Sequence, residues 1–247
     1  GAGYTAGELI RLLLVHSKVE INFVYSTSSA GKKLSTIHQD LVGTTEQLFT
    51  DKINTDVDIL FLCLGHGNSK AFLENNSFSE ATRIIDLSND FRLIQDADFQ
   101  KKRFVYGLPE LNKSAIQSAR FIANPGCFAT AIQLAILPLA ANSLVKDAIH
   151  VNAVTGATGA GTALSATTHF TWRVDNFSHY KAFNHQHLGE IHQSVDTLQE
   201  GLQSEIHFIP NRGNFSRGIF ATLYTKYEGT LETAKALFKS YYKDAEF

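Results

Sequence analysis

Apolar residues recur at two different spacings along the first 125 positions. Leu9, Leu12 and Leu13 fall at helical spacing and predict a helix over 8–16. Residues 19–25 (VEINFVY) are a short run rich in strand formers. They end in Ser26-Thr27-Ser28-Ser29-Ala30-Gly31, a loop signal. Residues 57–64 (VDILFLCL) are almost continuously apolar and stop at Gly65-His66-Gly67, as a strand covered on both faces does. Residues 83–87 (RIIDL) repeat that pattern, and 120–123 read as one more short strand. Strands separated by helices predict an α/β unit built on a parallel sheet.

Beyond Cys127 the pattern changes. Phe128, Ala131, Ile132, Ala135, Ile136 and Leu139 share one stripe and predict an amphipathic helix over 128–141. Strands are predicted over 149–155, 206–210 and 218–227, and a helix over 231–242. A Gly-rich loop and a long polar, His-rich stretch lie between them. Strands are expected to outnumber helices in this half. The boundary falls near Asn124-Pro125-Gly126, which divides the chain into domains 1–124 and 125–247.

The 247 residues suffice for two modest domains. Lys plus Arg number 22 and Asp plus Glu 24, so the net charge is -2 and the basic surplus of a polyanion-binding surface is lacking. No nucleic-acid partner is expected. No apolar run approaches the ~18–20 residues that span a bilayer, and no basic leader opens the chain, so neither a membrane nor secretion is expected. Cys63 and Cys127 make no disulfide framework, so a reducing cytoplasm is the expected location. The chain opens on glycine and holds no Met, which composition does not explain, and it reads as part of a longer chain.

Candidate chemistry gathers in a few short segments. Gly1-Ala2-Gly3-Tyr4-Thr5-Ala6-Gly7 opens the first helix, where glycines and free N–H groups suit a phosphate; the plain alternative is a helix-entry loop. In a dinucleotide-binding unit the tip of the second strand meets the adenosine ribose. Hydroxyls at Ser26–Ser29 with Lys32 and Lys33, in place of an acid, suit the 2′-phosphate of NADP; a solvated Ser-rich loop is the alternative. Asn124-Pro125-Gly126-Cys127 precedes an apolar helix. The helix start favours the thiolate of Cys127 and is expected to lower its pKa, against the plain reading of a buried cysteine. Cys63, inside an apolar strand, reads as core. A nucleophilic Cys needs a proton partner. His185-Gln186-His187-Leu188-Gly189-Glu190-Ile191-His192 offers a catalytic His with an orienting carboxylate, a polar cluster or, less well supplied with ligands, zinc. Arg92, ending Asp86–Arg92, could fork onto a phosphate or carboxylate or form a surface ion pair. Gly156–Gly161 suits a loop pressed against a ligand, or an ordinary turn.

Taken in order, these segments resemble the N-acetyl-gamma-glutamyl-phosphate reductase family, within the wider group that includes aspartate-semialdehyde dehydrogenase. The resemblance rests on Gly3-Tyr4-Thr5 with Gly7-Glu8-Leu9, Asp86-Leu87-Ser88 with Asp90-Phe91-Arg92, Tyr106-Gly107-Leu108-Pro109-Glu110-Leu111, Asn124–Cys127, Gly156–Gly161, and His185-x-His187 with Glu190-Ile191. The Tyr-Gly-Leu-Pro-Glu and His-x-His-x-x-Glu strings favour the glutamyl-phosphate branch. The resemblance implies a Rossmann-like parallel-sheet NADP domain, its first strand outside these residues. It implies an α+β catalytic and dimerisation domain after it, lacking its C-terminal part. It implies Cys127 as nucleophile and His187 as acid/base. Arg92, Glu190, Asn124 and His185 would serve the substrate, and Gly1, Gly3, Tyr4, Thr5, Ser26, Ser29, Gly156 and Gly159 the cofactor, with no metal. The implied reaction reduces an N-acyl-gamma-glutamyl phosphate to the semialdehyde with NADPH, releasing phosphate through a Cys thioester, in arginine biosynthesis. The assembly would be a homodimer or homotetramer. Departures from the family pattern are Phe128-Ala129 where Tyr-Pro is usual, Gly65 for Pro, and Thr158 for Ser. The first is expected to reshape the acyl pocket, leaving N-succinyl open beside N-acetyl. The alternatives are aspartate-semialdehyde dehydrogenase, a non-catalytic NADP-binding scaffold and a zinc protein.

Overall fold

The computed structural model describes residues 1–202 and 204–247. In the first half, helix α1 (Tyr4–Leu14) precedes the strands β1 (Val24–Tyr25), β2 (Phe49–Thr50) and β3 (Ile59–Leu62). Helix α2 (Ser69–Asn75), strand β4 (Arg83–Asp86), the hairpin β5 (Asp98–Phe99) with β6 (Lys102–Arg103), strand β7 (Val105–Tyr106), helix α3 (Pro109–Ser118) and strand β8 (Phe121–Ala123) follow. β3, β4, β8 and β7 pair in that order, all parallel. Leu60, Leu62, Ile84, Phe121 and Ala123 fill its core with Phe91 and Phe104, whose rings stack 3.9 Å apart. A fully buried aromatic or branched side chain here contributes roughly 1.5–3 kcal/mol by burial.

Helix α1 starts four residues earlier than the leucine spacing predicts, because Gly3 is its N-cap and Ala6, Gly7 and Ile10 supply its buried face. The strand expected over 19–25 contracts to Val24–Tyr25. A strand needs a hydrogen-bonded neighbour, and β1 pairs only with β2 among the described residues. Its other side faces a cavity of about 750 Å³ toward β3, lined in part by Gly1, Val24, Leu60 and Cys63. Cys63, expected inside a strand core, lies one residue past β3 and is half-buried; burial raises its pKa to about 11.

The second half contains α4 (Cys127–Ala140), β9 (Ile149–Thr155), α5 (Phe170–Arg173), β10 (Ser178–His179), α6 (His187–Leu198), β11 (Ile206–Arg212), β12 (Ile219–Tyr224) and α7 (Leu231–Tyr241). Its sheet is mixed, in the order β10-β11-β9-β12, with only β9 and β11 parallel. α4 and α6 cover one face through Phe128, Ile132, Ile136, Ile191 and Val195, packed on Val151, Ala153 and Phe208. Phe220 and Tyr224 point outward from the opposite face and are exposed.

Among the described residues strands do not outnumber helices here, because part of the stretch read as polar and His-rich folds as α6. Leu188, Ile191 and Val195 make its apolar stripe at spacings of three and four, hidden in the sequence by the histidines between them. The end of α4 is equally local in origin. Pro138 has no N–H to give to the carbonyl of Leu134, and the hydroxyl of Tyr242 donates to that carbonyl instead, fastening the end of α7 to α4. Among the described residues no helix is long and apolar enough to cross a membrane.

Candidate active site

Cys127 is the first residue of α4, behind the extended N-cap Gly126. The residue opens to solvent, but protein surrounds the sulfur on its other sides, and that burial pushes the thiol pKa up. The N–H groups of Phe128 and Cys127 and the guanidinium of Arg92 oppose the rise, while Glu190 adds to it. The depressed thiol expected from the helix start alone is therefore not the outcome: desolvation outweighs the helix N–H groups. The thiol needs a base.

The ring of His187 lies directly over Gly126. A Cβ on Gly126 would come within 2.7 Å of Cδ2 and Cε1 of that ring and closer still to Nε2. Glycine is required here for space, since φ of -67° suits any residue. His187 is buried at the start of α6, and its Nδ1 has no hydrogen-bond partner. Burial, followed by His185, Arg92, His66 and Lys181, lowers its pKa to about 3, so it is a neutral proton acceptor at pH 7. His185 is held near 4 by burial and Lys181. Its Nδ1 accepts the N–H of His187 at 3.2 Å, which caps α6 and fixes the ring 4.6 Å from that of His187.

Behind the cysteine runs a buried polar chain. The carboxylate of Glu190 accepts from the Gly126 N–H (2.8 Å), the Tyr106 hydroxyl (2.8 Å) and Arg92 (3.1 Å). Gln133 in turn donates to the Tyr106 oxygen at 2.8 Å. Arg92 spends its other donors on the carbonyls of Asn124 (2.8 Å) and Leu87 (3.0 Å). Arg92 and Glu190, expected to touch the substrate, instead face each other at 5% and 3% exposure. Their geometry sets the loop 124–126 and thereby the sulfur. The acids of the Asp86–Arg92 loop likewise bond inward. Asp86 accepts from the Ser69 and Ser88 hydroxyls, and Asp90 takes the N–H groups of Gly67, Ser69 and Lys70 at the head of α2.

Asn124 is exposed beside Cys127, its amide donating to the Pro125 carbonyl at 3.1 Å. Phe128 and Ala129 are buried in the core, Phe128 edge-on to His185 and Phe208. The Phe-Ala departure therefore lies in the packed wall behind the histidines. Sequence reasoning gave no role to Tyr106, Gln133, Tyr180, Arg173 or Arg212. A glutamine on an otherwise apolar helix stripe was the available signal for the first two.

The remaining predicted residues gather around α1. Its first turn has no side-chain cap and no acidic residue, so its N–H groups are free beside Gly3, Tyr4 and Thr5. Gly1 packs against Val24 and the Tyr25 carbonyl, leaving no room for a Cβ. At the tip of β1, Ser26 and Ser29 are buried, and Thr27, Ser28 and Lys32 are exposed. The Gly156–Gly161 loop lies on the 213–218 loop. A Cβ at Gly156 would press on the Ser216 carbonyl, and the Thr158 hydroxyl donates to it. Arg217 in that loop pairs with Glu8 of α1, which links the glycine loop to the helix start.

A family model described as semialdehyde dehydrogenase, NAD binding domain, matches residues 1–119, and one described as semialdehyde dehydrogenase, dimerisation domain, matches 127–247. The chain is 66% identical over its full length to the N-acetyl-gamma-glutamyl-phosphate reductase of Christiangramia forsetii and 60% to that of Flavobacterium johnsoniae, covering 76% of each. It resembles in fold an aspartate semialdehyde dehydrogenase II complexed with ASA from Vibrio cholerae (TM-score 0.69, 14% identity, 99% of this chain and 76% of that one). It also resembles an aspartate semialdehyde dehydrogenase with NADP from Candida albicans (TM-score 0.64, 16% identity, 96% and 73%).

Proposed function

The chain belongs to the N-acetyl-gamma-glutamyl-phosphate reductase family, and on that premise we propose that it reduces an N-acyl-gamma-glutamyl phosphate to the semialdehyde with NADPH, releasing phosphate, as a step of amino-acid biosynthesis. The observation that carries the reading is the neutral imidazole of His187 seated over Gly126, the residue before Cys127. Identity of 50–66% to several reductases of this name favours the glutamyl branch over the aspartate branch, to which the likeness is one of fold.

The chain's residues suit NADP. The uncapped first turn of α1 offers N–H groups to the pyrophosphate. Thr27, Ser28 and Lys32 offer hydroxyls and a cation to a 2′-phosphate, taking the part expected of Ser26 and Ser29. When bound, the reduced nicotinamide supplies the hydride. His187 takes the thiol proton, and the sulfur of Cys127 attacks the acyl carbon. A carbon–sulfur bond forms, the carbon–oxygen bond to phosphate breaks, and a thioester remains on Cys127. The Phe128 and Cys127 N–H groups stand where they would stabilise negative charge near the sulfur. His187 then moves the proton of the tetrahedral sulfur adduct as the aldehyde leaves.

The same proposal divides the chain at Asn124–Pro125, between the two sheets, and assembles it at least as a homodimer. The exposed face of the second sheet, with Phe220 and Tyr224, supports that assembly. A cytoplasmic location fits the two free thiols. The decisive experiment is steady-state oxidation of N-acetyl-glutamate semialdehyde with phosphate and NADP, in wild type and Cys127→Ser. The variant is expected to bind NADP and to lose nearly all turnover; wild-type turnover in it refutes the thioester.

A further inference from the structure

Among the described residues two guanidinium groups near Tyr180 have no acidic partner. Arg212, at the end of β11, lies 4.0 Å over the ring of Tyr180 and 5.9 Å from that of Trp172. Arg173 closes α5 and donates to the carbonyl of Gly213, the residue after Arg212, at 2.9 Å. Tyr180 is anchored by its N–H to the Pro210 carbonyl at 3.0 Å and packs edge-on 5.8 Å from His185. Burial and then the charge of Cys127 raise the pKa of its hydroxyl, while Arg212 and Arg173 oppose the rise, so all three lie within electrostatic reach of it. Both arginines are half-buried, and among the described residues neither is in an ion pair. Partial burial and the charge of Arg212 make protonated Arg173 less favourable, with desolvation the larger cause. Two like charges held together without an acid are a standing cost that a bound anion offsets.

We infer that Arg212 and Arg173 form a carboxylate-recognition subsite for the substrate, with Tyr180 as the floor that aims the Arg212 fork. This rests on the reductase reading above. A planar guanidinium fork held flat on an aromatic ring matches a carboxylate. Arg212 pairs with Thr155 at the C-terminal ends of the parallel strands β11 and β9, where β9 leads into the Gly156 loop. The carboxylate has two sources in this substrate class: the α-carboxylate of the glutamyl unit, or one carried by a dicarboxylic N-acyl group such as succinyl.

The test is KM against kcat for oxidation of N-acetyl- and N-succinyl-glutamate semialdehyde, with phosphate and NADP, in wild type, Arg212→Gln, Arg212→Lys and Arg173→Gln. Arg212→Gln is expected to raise semialdehyde KM about 10- to 100-fold, the range of a charge-assisted bond, with phosphate KM within about twofold. Arg212→Lys recovers part of the loss. A rise for both substrates identifies the α-carboxylate, and a rise for the succinyl substrate alone identifies the acyl carboxylate. Unchanged semialdehyde KM in both glutamine variants, or a rise in phosphate KM alone, overturns the inference. Calorimetric binding of N-acetyl- and N-succinyl-glutamate reads the subsite without turnover. Arginine-dependent binding with an inactive wild type refutes the reaction and keeps the subsite, and binding indifferent to both substitutions refutes the subsite.

Discussion

Replacing Glu190 by Gln should destabilise the protein far more than an ordinary loss of one charge. The carboxylate is 3% exposed and is met by three donors, the Gly126 N–H, the Tyr106 hydroxyl and Arg92, at 2.8, 2.8 and 3.1 Å. Glutamine keeps the shape but turns one oxygen into an NH2 that confronts a donor, and it leaves Arg92 charged at 5% exposure. Breaking a buried pair from one side costs about 3–5 kcal/mol. At about 2–4 °C per kcal/mol for a chain of this size, the melting temperature falls by about 6–20 °C. Urea titration measures the loss, and kcat should fall with it, because the Gly126 N–H anchor sits one residue before the nucleophile. A loss under about 1 kcal/mol with kcat intact refutes the positioning role. The double variant Arg92→Met with Glu190→Gln tests the cause. It should be more stable than Glu190→Gln alone if the unpaired cation is what costs, and equal or lower stability removes that explanation.

Gly126→Ala should drive the His187 ring off the cysteine loop, costing about 1–3 kcal/mol of stability and roughly 10²-fold in kcat/KM; urea titration and kinetics read both, and an active, stable alanine variant rejects the close packing. His187→Asn should lower kcat about 10²–10⁴-fold, whereas a change under about tenfold removes His187 from proton transfer. Acid should destabilise the fold early. His187 and His185 titrate near 3 and 4 in the folded chain and near 6.5 unfolded, so unfolding takes up protons below pH 6.5. Their contribution is present in full above that pH. Each then loses about 1.4 kcal/mol per pH unit, until roughly pH 4 for His185 and 3 for His187. Urea titrations at pH 7 and 5 should differ by up to about 4 kcal/mol, less in His187→Asn, and equal stability at the two pH values contradicts the buried neutral pair.

Local sequence was enough for much of this molecule. The runs at 57–64 and 83–87 read as strands of a parallel sheet, and Leu60, Leu62 and Ile84 at their centres are buried. The stripe of α4 and the run of β9 were equally plain, and Asn124-Pro125-Gly126-Cys127 announced a cysteine at a helix start. The His-x-His-x-x-Glu string offered a candidate proton partner, but not the helix that carries it. What local sequence could not carry is which charges meet. Arg92 and Glu190 are 98 positions apart, and their facing each other depends on α6 docking against the segment 92–94, where Gln193 bonds Arg92 and Ile94. The thiol pKa likewise follows from desolvation, a property of everything packed around the sulfur, which the helix N–H groups opposed without prevailing. Tyr180, Arg173 and Arg212 carry no spacing signal, because three separate segments bring them together. Periodicity is a short-range consequence of backbone geometry and so is written in the chain, whereas burial and charge neighbourhood exist only once distant segments share one volume.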